Sequence, residues 1–332
     1  MRAMVLSDFR PIGRHPLELE DVPVPAPGPG EVRIRVSVCG VCHTDLHIVE
    51  GELPDANLPL IPGHQAVGLV EERGVGASRF EVGERIGAAW LRSACGRCDF
   101  CRSGRENLCR EGRFNGFHAD GGYAERMVVP EKFAYALPAP FTDGAVAPLL
   151  CAGIIGYRAL RLSGIQNGGT LGLYGFGASA HVAIQIAVHR GCDVFVFSRS
   201  LMHQELAASL GAAWTGSADE APPKRTDAAI IFAPAGALVP IALANTEKGG
   251  TVVLAGIYMT PIPGLDYQRH LYHERDLKSV ANATREDGEE LLKIAVEIPI
   301  RTTTTAFPLP EANAALRALK EGRIRGAAVL EI

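Results

Sequence analysis

The hydrophobic rhythm of the chain changes near its middle. Before Cys151, short stretches alternate apolar and polar positions between turn-forming residues. Glu31 to Val38, Gly68 to Glu72, Gly83 to Ala88 and Tyr123 to Val129 all follow this period of two and predict strands with one buried face. Pro23, Pro25, Pro27 and Pro29, interleaved with Gly28 and Gly30, make a rigid connector ahead of the first of them. The pattern predicts an irregular all-β unit. After Cys151 the stretches Leu171 to Tyr174, Val194 to Phe197, Ala228 to Phe232 and Thr251 to Ala255 are apolar on both faces. Helical patterns such as Ala180 to His189 and His203 to Leu210 separate them. Strands without a polar face that alternate with helices predict a parallel sheet covered on both sides, a doubly wound α/β unit.

Beyond Ala283 the pattern predicts a helix over Glu286 to Val296, a Thr-rich strand around Arg301 to Thr305, a helix over Pro310 to Lys320 ended by Gly322, and a last strand from Ala327 to Ile332. That strand is expected to return to the β unit. The expected organisation is therefore a β unit of residues 1–151 and 284–332 around an α/β unit of residues 152–283. No internal repeat or low-complexity linker is visible.

Composition narrows the function class. A chain of 332 residues, 47% apolar and 21% charged with a net charge of −4, suits an ordinary globular protein of about two domains. It carries no basic footprint for nucleic acid or an anionic membrane. No run approaches the ~20 apolar residues that span a bilayer, and Met1 to Arg14 lacks an apolar signal-peptide core, so a cytoplasmic protein is expected. The eight cysteines are too sparse for a disulfide scaffold. Four of them, Cys95, Cys98, Cys101 and Cys109, fall in CGRCDFCRSGRENLC, where Gly96 and Gly104 permit tight turns. This spacing lets four thiolates converge on one tetrahedral ion, a closed zinc site that holds a lobe in shape; an iron–sulfur cluster uses the same ligand type.

A second signal lies in GFGASA, Gly175 to Ala180, between the strand ending at Tyr174 and the following helix. Gly175, Gly177 and Ala178 belong to a G-x-G-x-x-A turn, which brings a pyrophosphate close to a helix N-terminus. Dinucleotide sites that prefer NAD place Asp or Glu ~20 residues further on, at the end of the second strand. Here that strand is followed by Ser198, Arg199 and Ser200. A missing acid removes repulsion against a 2′-phosphate and Arg199 can pair with it, which favours NADP(H) over NAD(H); a solvated loop arginine is the alternative.

Cys42, His64 and Cys151 are too far apart for spacing alone to join them. Their contexts, GVCHTDLH from Gly40 to His47, GHQAVG from Gly63 to Gly68 and LLCAG from Leu149 to Gly153, resemble the zinc-dependent medium-chain alcohol dehydrogenase family. With the cysteine lobe and the glycine turn, the resemblance runs over nearly the whole chain. It implies a GroES-like β domain joined to a Rossmann domain, a nicotinamide cofactor, and two zinc ions per chain. Cys42, His64 and Cys151 would hold the catalytic one, leaving a fourth position open, and the lobe cysteines the structural one.

The resemblance also gives roles to the neighbours. Asp45 would hydrogen-bond the ligating histidine, Thr44 would take the alcohol proton, and His47 would form the outer end of the proton relay. His43 would face the cofactor pyrophosphate. Without the resemblance, Thr44, Asp45 and His47 also suit turn residues capping a helix. Trp90 matches a bulky wall of the substrate pocket and Leu53 a second pocket position, which implies short or slender primary alcohols and aldehydes, although a Trp on a strand also suits a core. The short stretch from Cys109 to Tyr123 is similar to members that form tetramers, so a homotetramer or dimer is expected. One position departs: Gln65 stands where the family usually has Glu, and a neutral amide is a poorer transient ligand. The rivals are a quinone oxidoreductase-like enzyme without zinc, and a zinc-binding nucleotide sensor or structural protein without turnover; metal content separates them.

Overall fold

The computed structural model describes residues 1–53, 55–298 and 300–332. The chain forms two compact units, Met1–Cys151 with Thr284–Lys293 and Arg301–Ile332, and Ala152–Ala283 with Ile294–Ile300. The expectation that 284–332 belongs whole to the first unit needs correcting for 294–300. The division falls inside the helix Arg285–Glu297, where an unbroken periodicity carries no boundary signal. Among the described residues no single helix is long and apolar enough to cross a membrane.

In the first unit, seven strands form one sheet. Along it run Thr304–Pro308, Ala327–Glu331, Glu31–Val41, Gln65–Arg73, Arg85–Ala88 and Ala134–Ala136, with Arg126–Pro130 also pairing Glu31–Val41. The C-terminal strand thus returns to this unit, antiparallel to Glu31–Val41. The Thr-rich strand begins at Thr304, later than the pattern predicts, because its pairing partner, Ala327–Glu331, fixes its register through Thr304↔Ala327. Register also sets up the site. Gly40 pairs with Gln65 at the near ends of two antiparallel strands, so Cys42 and His64, one step beyond those ends, emerge side by side. Cys151 follows the 3₁₀ turn Ala147–Leu150, whose residues are all buried. The Leu150 side chain fills the space above Gly87, where a methyl group would lie 2.8 Å from it.

The cysteine lobe is closed at its base by the short pair Leu91–Ser93 and Arg113–Phe114. Within it lie one turn of helix, Asp99–Arg102, and a 3₁₀ turn, Glu106–Leu108. An ion pair ties it to the rest of the unit. Glu106 accepts from Arg285 N–H (3.0 Å) and Nε (2.8 Å) through one oxygen, and from the guanidinium through the other (2.6 Å), while the same guanidinium lies over the Phe133 ring.

In the second unit, six strands are all parallel: Trp214–Gly216, Asp193–Phe197, Thr170–Tyr174, Thr226–Ile231, Thr246–Leu254 and Asp276–Ser279, in that spatial order. Numbered along the chain, the order is 3-2-1-4-5-6, the doubly wound arrangement with its reversal beside the first strand. In the two central strands the apolar runs 171–174 and 228–231 are wholly buried, as runs without a polar face require. The Tyr174 and Phe197 rings stack at 4.1 Å within the core below that reversal.

Burial pushes the Glu106 carboxyl up, but the Arg285 donors outweigh it and hold its pKa below the ordinary value. A depressed carboxyl stabilises the fold above its unfolded pKa of about 4.3 and ceases to do so as pH falls through the lower folded value. Replacing Glu106 by Gln is therefore expected to lose about 1 kcal/mol near pH 7, with Arg285 partly exposed to solvent. In urea titrations the gap from the unsubstituted protein should close below pH 4; a gap independent of pH would refute the charge-based account.

Candidate active site and metal centres

Cys42 ends the approach from the sheet and caps the seven-residue helix His43–Val49. The cap is reciprocal. The Cys42 sulfur accepts from Thr44 N–H at 3.5 Å, and an Asp45 oxygen accepts from Cys42 N–H at 2.9 Å. The second Asp45 oxygen lies 3.0 Å from His64 Nδ1, and both side chains are fully buried. One carboxylate thus fixes the helix start and aims the opposite ring nitrogen, Nε2, away from itself. That nitrogen is buried and has no hydrogen-bond partner among the described residues. It faces two sulfurs, with Cys42 and Cys151 Sγ 3.8 Å apart and all three donor atoms within 4.8 Å of one another.

The electrostatics favour positive charge at this point. Burial penalises an imidazolium, yet Asp45 and the Cys42 sulfur overcome it and raise the His64 pKa to about 10. The contact with Cys151 lowers the Cys42 thiol well below its ordinary value, and the same contact together with burial pushes Cys151 up. A cation bonded to Nε2 and both sulfurs would satisfy all three. Two thiolates and one imidazole are a soft donor set that suits zinc, and three protein ligands leave a fourth position open.

The lobe presents four sulfurs. Cys98 and Cys101 Sγ are 3.5 Å apart, and Cys95–Cys101 and Cys98–Cys109 are 4.0 Å apart, again all within 4.8 Å. A tetrahedral ion with bonds of ~2.3 Å would place its sulfurs about 3.8 Å apart. Backbone N–H groups point at these sulfurs, Cys98 N to Cys95 Sγ at 3.4 Å and Cys95 N to Cys109 Sγ at 3.3 Å. Such donors, from Arg97 and Cys98, lower Cys95 to about 6, whereas burial pushes Cys101 up to about 12. Four sulfurs this close cannot all ionise without a cation among them.

Thr44 is buried, its hydroxyl 3.6 Å from the Cys42 sulfur, and His47 lies three residues on along the same helix. His43 is exposed, with its ring 6.4 Å from that of His47. Trp90 meets His64 edge-on at 5.0 Å and stacks on Phe114 at 5.0 Å, with Phe117 at 5.7 Å and His118 continuing the aromatic group. Trp90 and Leu53 are both half-buried against the same core. Gln65 is buried over Gly40, where a methyl group would come within 2.8 Å of its amide.

Sequence reasoning missed Phe114, Phe117 and His118, although their spacing around Asn115 and Gly116 offered a signal. It also missed Tyr123, whose hydroxyl is buried without a hydrogen-bond partner among the described residues and whose phenol is pushed up by burial and by Asp45. Tyr123 packs where any side chain at Gly63 would stand, 2.4 Å away, which explains the glycine before His64.

In the second unit, Gly175 has φ +87° and a methyl group there would lie 2.9 Å from Ala233 N, so only glycine closes this turn. Gly177 caps the helix Ala178–His189 without a side-chain acceptor, and the space beside its α-carbon is open. The helix starts at Ala178, two residues before the expected Ala180, because the extended Gly177 is itself the cap. Gly156, another position sequence reasoning passed over, lets the helix Ala152–Ser163 approach it: a methyl group there would lie 2.6 Å from the Ser179 carbonyl. At the end of the second strand Ser198 is buried, its hydroxyl accepting from Ser200 N–H at 3.3 Å, while Arg199 is exposed and has no ion-pair partner among the described residues.

Comparison with known proteins agrees with this geometry. The profile of the alcohol dehydrogenase GroES-like domain matches residues 28–139, and that of zinc-binding dehydrogenases residues 180–297. The chain is 48% identical to the "probable alcohol dehydrogenase AdhA" of Mycobacterium tuberculosis, over 97% of this chain and 94% of that one. It is 35% identical to an alcohol dehydrogenase of Geobacillus stearothermophilus, over 100% of both. A cobalt- and zinc-bound thermostable alcohol dehydrogenase from Pyrobaculum aerophilum superposes with a TM-score of 0.91 at 27% identity, covering 100% of this chain and 99% of that one. The chain belongs to the zinc-binding alcohol dehydrogenase family.

Proposed function

We propose that this protein interconverts a small primary alcohol and its aldehyde, with zinc held by Cys42, His64 and Cys151 and with NADP(H) in preference to NAD(H). The observation that carries this is the convergence of two sulfurs on a buried, unpartnered His64 Nε2, with one tetrahedral position left over. The metal supplies Lewis acidity at the substrate oxygen, and the nicotinamide accepts or gives the hydride.

The chain's own residues do the rest. Asp45 holds the His64 ring in one orientation, so that Nδ1 carries its proton and Nε2 its lone pair. Thr44 Oγ1 takes the alcohol proton and passes one on towards His47, from which it leaves for solvent. Trp90, backed by Phe114 and Phe117, forms an aromatic wall beside the His64 ring that favours short or slender substrates. The lobe cysteines hold a second zinc; sulfur separations of 3.5–4.0 Å support one central ion over an iron–sulfur cluster, whose several irons would spread the ligands. Arg199, exposed at the end of the second strand and without an ion-pair partner among the described residues, supports the preference for a 2′-phosphate. The short span between Cys109 and Tyr123 supports a homotetramer or dimer.

Metal analysis of the purified protein is expected to give two zincs per chain. Cys42→Ala should retain one zinc while losing at least ~10³-fold in kcat, since the reacting oxygen loses its electrophile. Cys98→Ser should instead lower thermal stability. A Cys42→Ala protein that keeps both zincs, or that turns over normally, would refute the ligand assignment.

For the cofactor, kcat/KM is expected to be higher with NADPH than with NADH. Arg199→Ala should cut the NADPH value about 10-fold, the worth of one charge-assisted contact, and leave the NADH value nearly unchanged. Equal losses with both cofactors would show that Arg199 does not read the 2′-phosphate.

A further inference from the structure

The helix His43–Val49 ends in a turn with a definite hydrogen-bond pattern. Gly51, at φ +76°, donates to the Ile48 carbonyl at 3.0 Å, and Glu52 N–H donates to the His47 carbonyl at 2.9 Å. This is a Schellman cap, in which a left-handed glycine folds the following residue back over the last turn. The folded-back side chain commonly makes an apolar contact with the residue whose carbonyl it caps. Here those two residues are Glu52 and His47, and Glu52 Oε2 hydrogen-bonds His47 Nδ1.

Stability does not account for this contact. The Glu52 side chain is 52% exposed, and an ion pair so open to water adds little to a fold. The turn is fixed by other means: a methyl group on Gly51 would lie 3.0 Å from Phe9 Cβ, so the turn is seated on that ring. The neighbouring acid, Glu50, is committed elsewhere, accepting from Lys320 Nζ at 2.7 Å and from Ile12 N–H at 2.8 Å. Of the two acids in this turn, Glu52 is the one that meets the imidazole.

We propose that Glu52 is a positioning residue for His47, selecting the tautomer with its proton on Nδ1 and its lone pair on Nε2. Which nitrogen of a histidine carries the proton is set by the hydrogen bond that the other ring atom makes. With Nδ1–H held by the carboxylate, Nε2 accepts the proton released from Thr44 Oγ1, through intervening hydroxyls or water, and then gives one proton to solvent. The ring returns to its starting form and no proton is gained or lost by the pair. The inference rests on the relay role of His47 proposed above.

The test uses the full-length, metal-loaded protein with ¹⁵N-labelled histidine. Glu52→Leu supplies the apolar partner that a Schellman cap ordinarily has, so the fold should keep its unfolding midpoint. Long-range ¹H–¹⁵N spectra of the neutral His47 ring are expected to show Nδ1–H in the unsubstituted protein and Nε2–H in Glu52→Leu. Glu52→Gln, whose amide oxygen still accepts, should keep Nδ1–H. Alongside, kcat should fall about 10-fold in Glu52→Leu and recover in Glu52→Gln, with KM for the cofactor unchanged in both. An unaltered tautomer in Glu52→Leu would overturn the proposal. A switched tautomer with ordinary kcat in both Glu52→Leu and His47→Gln would overturn the relay role and leave the Glu52 contact standing.

Discussion

A single buried carboxylate organises the metal-binding half of this protein. Asp45 is fully buried, and the cost of removing a carboxylate from water is met by two donors, Cys42 N–H and His64 Nδ1. Because one side chain serves both, the cap of the helix and the aim of the His64 ring cannot vary independently. A shift of the helix start would uncover a buried charge, and so would a rotation of the imidazole. Cys42 and His64 are thus tied to one carboxylate at the start of a seven-residue helix too short to persist on its own, while Cys151 reaches them from the buried 3₁₀ turn Ala147–Leu150.

The two ends of that helix are closed by different means. Its start is capped by the side chains of Cys42 and Asp45, whereas its finish is closed by backbone N–H groups of Gly51 and Glu52, with the Glu52 carboxylate meeting His47. The lobe solves a different problem. All four of its cysteines are only half-buried, and its one helix has four residues, so it has little apolar surface to fold around. Sulfur–metal bonds would replace a core there, and the Glu106–Arg285 pair connects the result to the helix beginning at Arg285.

Where burial alone decides a residue's character, the sequence was legible. The strands Thr170–Tyr174 and Thr226–Ile231 carry apolar runs, 171–174 and 228–231, that are buried on both faces, and the pattern located the strands to within two residues at each end. Edge strands were silent: Asp276–Ser279 is largely exposed and Trp214–Gly216 has three residues, so neither carries an apolar rhythm. Glu31–Val41 runs three residues past its expected end, since the register shifts between Val36 and Val38 interrupt the alternation. Candidate ligands were legible only through their local contexts; that Cys42 and His64 meet follows from the pairing of Gly40 with Gln65, a long-range register that no window of sequence contains. Glu52 was missed for a similar reason. Its relation to His47 exists only once Gly51 takes a positive φ, though a glycine after a short helix followed by an acid was a visible hint.

The two units hold their candidate partners by opposite devices. In the first, side chains do the holding, and the N-terminus of the helix His43–Val49 is consumed by its own capping residues. In the second, Gly177 caps the helix Ala178–His189 with no side-chain acceptor among the described residues, so its leading N–H groups remain available to an anion such as a pyrophosphate. A better cap would stabilise that helix by ~1 kcal/mol and would compete with the ligand for the same donors. Gly175 is constrained by backbone conformation and by Ala233, Gly156 by the passage of a neighbouring helix, but Gly177 has open space and an ordinary extended φ. Neighbouring atoms of the chain leave room at Gly177, so the constraint that the open donors place there is against Ser, Thr, Asp or Asn, whose side-chain oxygens would occupy them.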